Sequence, residues 1–173
     1  MTIASTALAC RRVSTPIGVL TLVASDVGLR AVLFESEQRS SIDIGSGMPS
    51  RTAIRTVDEA ARQLEEYFAK DRQGFDLPLD LHGTDFQLAV WNSLAAVAYG
   101  ETLTYREQAD RLAVDGGARA VGAANGKNPV PIVLPCHRVV ASDGALTGYV
   151  GGIAAKGYLL RLEEQRQPSL FDM

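Results

Sequence analysis

Cysteine and histidine are scarce in this sequence, with two residues of each type in 173. Cys10 and Cys136 could form one disulfide, but it would join the chain terminus to a proline-bounded segment, so we expect both thiols to be reduced. No short paired spacing of the kind that binds zinc occurs among Cys10, His82, Cys136 and His137. We therefore expect no metal site and no cofactor.

Long apolar runs are also missing, and no stretch approaches the roughly 18 residues of a membrane-spanning helix. Residues 1–12 lack the basic segment followed by a long apolar segment that marks a secretory signal. We therefore expect a cytoplasmic protein. The 46% of hydrophobic residues and 21% of charged residues are typical of a globular chain that buries a core.

The sequence has no excess of positive charge, since its formal net charge is -3. Residues 1–83 carry 9 basic and 11 acidic side chains, and residues 84–173 carry 8 and 9. Proteins that bind nucleic acid usually show a basic footprint. Any contact with DNA must therefore come from a local patch.

The first half of the chain has the patterns of an α/β unit. Residues 15–24 and 29–34 are apolar segments around a glycine-containing turn, which predicts a β-hairpin. Residues 35–50 are rich in serine and glycine and predict an irregular connection. In residues 52–70, apolar side chains recur at spacings of three and four, which predicts an amphipathic helix.

Residues 75–82 alternate apolar and polar side chains, which predicts a strand. Pro78 removes a backbone donor and therefore places this strand at the edge of a sheet. His82 follows at the strand exit, where a surface histidine is the expected interpretation because no partner is near it in the sequence.

The second half begins with two capping boxes. Residues 84–87 open a helix that contains Trp91, and residues 104–107 open a shorter helix. Residues 115–117 then form a glycine turn before a helix over residues 118–125. Two short helices across a tight turn predict a helix-turn-helix.

The second helix of that pair consists mostly of small residues, including Ala118 and Gly122. One interpretation is close packing against a neighbouring helix. The other is close approach to DNA, with Arg119 entering a groove or replacing a base in the stack. Arg119 discriminates between the two because it is the only long cation in the helix.

Residues 128–140 combine three prolines with a short apolar run and end in a thiol beside an imidazole. Prolines exclude a helix, and the run at 132–134 predicts a stiff, extended segment that presents Cys136 at its end. A reactive cysteine needs a base or a positive charge nearby, and both His137 and Arg138 follow it. The alternative is a buried structural cysteine.

Two later features complete the pattern. A loop with glycines on both sides of Tyr149 can fold over a flat ligand, and a helix is predicted over residues 153–167. Glu163 on that helix is a candidate partner of His137, although an acidic residue on a late helix would ordinarily face solvent.

These residues resemble the O-6-alkylguanine-DNA alkyltransferases, also called methylated-DNA-protein-cysteine methyltransferases. The resemblance is carried by the order and spacing of several motifs, close over residues 84–165 and looser before them. The motifs are Asn128-Pro129, Pro135-Cys136-His137-Arg138-Val139, Gly148-Tyr149, Gly151-Gly152, and Leu159-Leu160 with Glu163, preceded by Tyr105 and Arg119.

The resemblance implies an α/β N-terminal domain, ribonuclease-H-like, over residues 1–80, and a linker over 81–83. A mainly α C-terminal domain with a winged-helix-like helix-turn-helix follows over residues 84–166, and residues 167–173 form a tail. It further implies a cytoplasmic, monomeric DNA repair protein that binds duplex DNA through the minor groove. Such a protein flips O-6-alkylguanine out of the duplex and transfers the alkyl group irreversibly to its own cysteine.

The family's roles carry over residue by residue. Cys136 is then the alkyl acceptor, His137 the base acting through water, Glu163 the residue that orients His137, and Asn128 a bracing residue. Contacts with DNA and the flipped base are implied for Tyr105, Ala118, Arg119, Gly122, Val139, Tyr149 and Val150. The water has independent support, because adjacent residues of an extended chain point to opposite faces, so His137 is poorly placed to bond Cys136 directly.

The sequence departs from some relatives at two positions. Val150 replaces a serine, which removes a side-chain hydrogen bond to the base, and Asn125 replaces a bulkier apolar residue, which predicts a more polar pocket wall. Near the end, Gln167, Leu170 and Phe171 match a short peptide that docks bacterial sliding clamps. The alternative is that these residues fold back or fray.

Two other functions stay open at the level of sequence. A lesion-binding or regulatory helix-turn-helix protein would bind alkylated DNA without transferring a group, and a cysteine hydrolase would use Cys136 and His137 repeatedly. Cys136 argues against the first, because such lesion binders lack the nucleophile.

Overall fold

The computed structural model describes residues 7–37, 42–115 and 117–164. The clamp-like peptide at 167–171 and part of the connection at 35–50 lie outside these residues. The first half contains β1 (Ala9–Thr15), β2 (Gly18–Ala24), β3 (Leu29–Phe34) and α1 (Arg51–Phe68). The second half contains α2 (Asp85–Ser93), β4 (Leu103–Thr104), α3 (Tyr105–Arg111), α4 (Ala118–Asn125), β5 (Val139–Val140) and α5 (Ile153–Glu163). The predicted fold class, an α/β half followed by a mainly helical half with a helix-turn-helix, is confirmed.

The N-terminal sheet is antiparallel with the strand order β1-β2-β3. The predicted hairpin is β2 and β3, whose register pairs Leu20 with Phe34. The sequence analysis did not predict β1. Only Ala9 and Val13 are buried in this strand, and the charged residues between them hide its strand pattern.

Helix α1 covers the sheet and confirms the predicted amphipathic helix. Ser50 caps its start by accepting from the Ala53 N–H. Its buried stripe includes Val57, Leu64 and Tyr67. Ile54, which was expected on that stripe, is 42% exposed. None of the helices in the described part of the chain is long and apolar enough to cross a membrane.

The strand predicted over residues 75–82 is wrong for most of its length. The segment forms a single bridge, Leu79 with Leu29, at the free edge of β3. The Leu29 N–H donates to the Pro78 carbonyl, and the Asp80 N–H donates to the Leu29 carbonyl. The missing donor of Pro78 restricts further pairing. His82 is exposed at the predicted exit, 2.8 Å from Asp80 Oδ1.

Both predicted capping boxes are present, at Thr84 with Gln87 and at Thr104 with Glu107. The indole N–H of Trp91 donates to the Ala124 carbonyl and ties α2 to α4. The side chain of Asn125 donates to Gln108 Oε1 at 2.7 Å and joins α4 to α3. Asn125 therefore lies between two helices, and its effect on the polarity of a pocket wall stays a prediction.

The extended segment predicted over residues 128–140 is also wrong. Its centre is a tight turn in which Leu134 N–H donates to Val130 O, and Ile132 has a φ of 74°. Positive φ is unfavourable for a β-branched residue, so the surrounding packing must impose this conformation. Residues Cys136–Arg138 form one turn of 3₁₀ helix that leads into β5. Strand β5 pairs in parallel with β4.

Candidate active site

The thiol of Cys136 lies on a buried 3₁₀ turn, where it is only 5% exposed. Asn128 holds the chain before this turn: its side-chain amide donates to Leu134 O, and its Oδ1 accepts from the Val130 N–H. The Cys136 N–H also donates to Leu134 O. These bonds hold the irregular chain before the 3₁₀ turn and so fix the position of the thiol.

His137 points from the same turn to α5. Its Nε2 lies 2.7 Å from Glu163 Oε1, and both side chains are almost fully buried. Because an ionised carboxylate only accepts, Nε2 carries the proton and Nδ1 keeps a free lone pair. His137 Nδ1 is buried and bonds to no group among the described residues. The imidazole is therefore oriented by one nitrogen and available as a base at the other.

Arg138 does not provide the positive charge that the sequence analysis expected beside the thiol. Its guanidinium turns to Glu163, with Nε 2.8 Å from Oε2 and a second nitrogen 2.9 Å from Oε1. It also donates to the Val97 carbonyl and lies 5.8 Å from the centroid of the Tyr99 ring. This buried two-point contact fixes the Glu163 carboxylate, which faces His137.

The positive charge near Cys136 comes from Lys156 on α5. Its fully buried ammonium donates to the carbonyls of Val139 and Thr147 and lies 3.5 Å from Tyr105 Oη. The sequence analysis missed this residue. Its position seven residues before Glu163 places both on one face of α5, and this spacing could have revealed it.

Tyr67 was missed as well. Its hydroxyl donates to Glu163 Oε1 at 2.6 Å, although the two residues are 96 positions apart. Tyr67 occupies the buried stripe of α1, and a buried tyrosine usually finds a partner for its hydroxyl. Sequence alone could indicate that a partner exists but not which residue it is.

Burial and neighbouring groups shift the pKa values of the site residues in opposite directions. Burial raises the pKa of Cys136 to about 11, and the Asn128 amide and the Lys156 charge only partly offset it. Burial lowers the pKa of His137 despite Glu163. Burial would raise the pKa of Glu163, but hydrogen bonds from His137 and Arg138 outweigh it and lower the pKa to about 2. The resting pair is therefore a thiol and a neutral imidazole beside a carboxylate.

The low pKa of Glu163 predicts a pH-dependent stability. The unfolded chain takes up this proton near its ordinary pKa of 4.5 and the folded chain near 2, so the contribution is complete above pH 4.5 and is lost toward pH 2. The contribution is on the order of 3 kcal/mol. Urea unfolding at pH 6 and at pH 3 should show it, and Glu163→Gln should flatten the dependence. Parallel pH curves for the two proteins would contradict this prediction.

A cleft of about 650 Å³ lies next to the site, and two of its lining residues, Tyr105 and Tyr149, interact electrostatically with Cys136. Five of the residues implied in contact with DNA or a base line it: Tyr105, Ala118, Gly122, Tyr149 and Val150. Val139 is fully buried in β5 and lies outside this lining, and its carbonyl accepts from Lys156. The structure thus brings most of the predicted contact residues to one cleft.

The loop that carries Tyr149 packs against the N-terminal sheet. The rings of Phe34 and Tyr149 meet edge to face with centroids 5.8 Å apart. A Cβ added to Gly151 would lie 2.4 Å from the Phe34 ring, so only glycine fits this approach. Strand β3 therefore sets the position of the loop over the cleft.

Helix α4 shows the close packing that its small residues predicted, while its approach to DNA stays a prediction. Its Val121, Ala124 and Asn125 are buried against the neighbouring helices. Arg119, Ala120 and Ala123 are exposed on the opposite side. Arg119 makes no hydrogen bond or ion pair with any of the residues that the structure describes. Its side chain is therefore available to a partner.

Comparison with known proteins agrees with this arrangement. The family described as 6-O-methylguanine DNA methyltransferase, DNA binding domain, matches residues 85–165. The family described as 6-O-methylguanine DNA methyltransferase, ribonuclease-like domain, matches residues 8–81. The two matches meet close to the predicted linker.

Similar proteins extend over nearly the whole chain. A Mycobacterium bovis protein named methylated-DNA--protein-cysteine methyltransferase is 46% identical and covers 94% of this chain and 98% of its own length. The crystal structure of Mycobacterium tuberculosis O6-methylguanine methyltransferase has a TM-score of 0.82 at 43% identity and covers 94% and 96% of the two chains. That of Mycobacterium tuberculosis OGT in complex with DNA has a TM-score of 0.80 at 42% identity and covers 92% and 95%. This chain belongs to the 6-O-methylguanine DNA methyltransferase family.

Proposed function

We propose that this protein repairs DNA by transferring the alkyl group of O-6-alkylguanine to Cys136. The observation that carries the proposal is the arrangement of Cys136, His137 and Glu163, with His137 Nδ1 free to take a proton. A nucleophile, a base and a residue that orients the base are the parts that activation of a thiol requires.

The proposed step balances without a cofactor. The sulfur of Cys136 attacks the alkyl carbon, so a C–S bond forms while the bond from that carbon to O6 breaks. The thiol proton passes through a water to His137 Nδ1 and then to the departing guanine. Glu163 stabilises the imidazolium, and Asn128 holds the turn. The thioether has no easy leaving group, so each molecule acts once.

DNA is the proposed partner, bound at its minor groove by the exposed side of α4. The similarity to the M. tuberculosis protein in complex with DNA supports DNA binding, and the exposed Arg119 supports the choice of α4. Because the target atom cannot be reached inside a duplex, the guanine must leave the stack. Tyr105 would assist its rotation, Arg119 would fill its place, and Tyr149 with the backbone at Val150 would hold it in the cleft.

We propose an N-terminal domain over residues 1–80, a linker over 81–83 and a DNA-binding and transfer domain over 84–166, acting as a cytoplasmic monomer. Docking of the tail at Gln167, Leu170 and Phe171 to a replication sliding clamp stays a prediction from the sequence.

Intact mass spectrometry tests the transfer directly. Incubation with a duplex that carries one O-6-methylguanine should add one methyl group per protein molecule, and the addition should be absent in Cys136→Ser. Tight binding of the lesion without a mass change would instead identify a lesion binder. Repeated turnover of substrate would identify a hydrolase.

A further inference from the structure

The hydroxyl of Tyr67 joins the N-terminal helix α1 to the centre of the transfer site. It donates to Glu163 Oε1 at 2.6 Å, the same oxygen that faces His137. Tyr67 is 0% exposed, and burial raises its pKa, so the hydroxyl keeps its proton and remains a donor. A group from one half of the chain thus completes a hydrogen-bond network in the other half.

The packing of the Tyr67 ring does not account for this hydroxyl. The ring lies among Phe68, Phe75 and Tyr99, with centroid distances of 5.3, 5.4 and 6.3 Å. A phenylalanine at position 67 would fill the same aromatic cluster. The hydroxyl is therefore the feature that distinguishes Tyr67 from a core residue, and its contact is with Glu163.

The Glu163 carboxylate accepts four hydrogen bonds, three of them at one oxygen. Oε1 accepts from Tyr67, His137 and Arg138, and Oε2 accepts from Arg138. Three donors therefore share the two lone pairs of Oε1. Removal of one donor leaves more negative charge on Oε1 for the remaining partners.

We propose that Tyr67 is a positioning residue for alkyl transfer, whose hydroxyl holds Glu163 against His137 and limits the affinity of this pair for a proton. The proposal rests on the proposed function of Glu163 and His137. It makes α1 part of the transfer machinery, although α1 lies outside the segment that contains the cysteine, histidine and glutamate.

Several other titratable and charged groups face the pair of Glu163 and His137. They are Tyr67 of α1, Tyr99 after α2, Cys136 and Arg138 of the 3₁₀ turn, Tyr149 of the loop and Lys156 of α5.

Removal of the Tyr67 hydroxyl should change the proton affinity of Glu163 and His137 in one direction. Without the hydroxyl, the Glu163 anion loses a donor, so its protonated form becomes relatively more favourable. The same loss leaves a stronger acceptor for the imidazolium of His137, which favours protonation of the ring. Both changes raise the proton affinity of the pair, so the neutral imidazole that accepts the thiol proton is lost at a higher pH.

Nuclear magnetic resonance of the imidazole groups tests the proposal without relying on activity. The chain has two histidines, so His82, which lies outside the network, is an internal reference. In Tyr67→Phe, the titration of His137 should move to higher pH by about half a pH unit or more, while that of His82 is unchanged. Tyr99→Phe is the matched control, because it removes a hydroxyl of the same aromatic cluster that contacts the Leu162 carbonyl and not the carboxylate.

Transfer from free O-6-benzylguanine gives the second readout. The acid limb of the pH–rate profile should move upward in Tyr67→Phe, so its loss of rate is at least about threefold larger at pH 6 than at pH 8. In a Glu163→Gln background, Tyr67→Phe should change the profile no further. Equal losses at all pH values and an unmoved His137 titration, or the same changes in Tyr99→Phe, would show a purely structural tyrosine and overturn the proposal. An inactive wild-type protein would refute the proposed function, while the His137 titration would still decide the role of Tyr67.

Discussion

Arg138→Met should lower the free energy of unfolding by about 3–5 kcal/mol, the usual cost of leaving one partner of a buried ion pair uncompensated. Glu163 is 1% exposed, and the guanidinium of Arg138 reaches both of its oxygens. Methionine can fill part of the space but provides no charge and no donor. The Val97 carbonyl loses its partner as well.

Chemical unfolding of matched variants measures this effect. Arg62→Met is the control, since Arg62 pairs with Glu59 and Glu66 on the exposed face of α1 and its loss should lower the free energy of unfolding much less than Arg138→Met does. Arg138→Met combined with Glu163→Gln should cost less than the sum of the single changes, because the double variant leaves no buried carboxylate unpaired. If Arg138→Met lowers the free energy of unfolding no more than Arg62→Met does, the buried ion pair of Arg138 and Glu163 contributes little to stability.

Local patterns predicted the elements whose structure depends on near neighbours in the sequence. The hairpin of β2 and β3, the amphipathic α1 and both capping boxes were predicted because each is encoded within a few residues. The pairing of Glu163 with His137 was expected from the family resemblance and is present at 2.7 Å. The helices α2, α3 and α4 were therefore predictable from the sequence, but the segment between α4 and α5 was not.

The errors arose where contacts distant in sequence decide the structure. The β-branched run at 132–134 indicated a strand, yet Asn128 and the packing of the site fold it into a turn. Because Arg138 is close to Cys136 in the sequence, it was expected to provide the positive charge beside the thiol. Instead its guanidinium binds Glu163, and Lys156 provides that charge. The bond between Tyr67 and Glu163 spans 96 positions, and no local pattern could indicate it.

Arg119→Ala should slow repair of a duplex substrate by about 10- to 100-fold, equivalent to ~1.4–2.8 kcal/mol, while transfer from free O-6-benzylguanine changes less than about twofold. Arg119 is exposed on α4 and lies outside the residues that line the cleft. Its loss should therefore leave the chemistry of Cys136 intact. In the proposed mechanism the guanine leaves the stack before transfer, and a side chain that occupies the vacated place recovers part of the cost of opening the duplex.

Two variants distinguish the proposed stacking of the Arg119 side chain from the effect of its positive charge. Arg111→Ala removes one positive charge from the exposed surface of the neighbouring helix and should slow duplex repair by less than about threefold at moderate salt. Arg119→Lys keeps the charge but loses the planar guanidinium, so it should restore only part of the rate. Single-turnover rates on the duplex and on the free base give the comparison. Equal losses on both substrates in Arg119→Ala would mean that Arg119 supports the fold of α4, and full recovery in Arg119→Lys would mean that its charge alone matters.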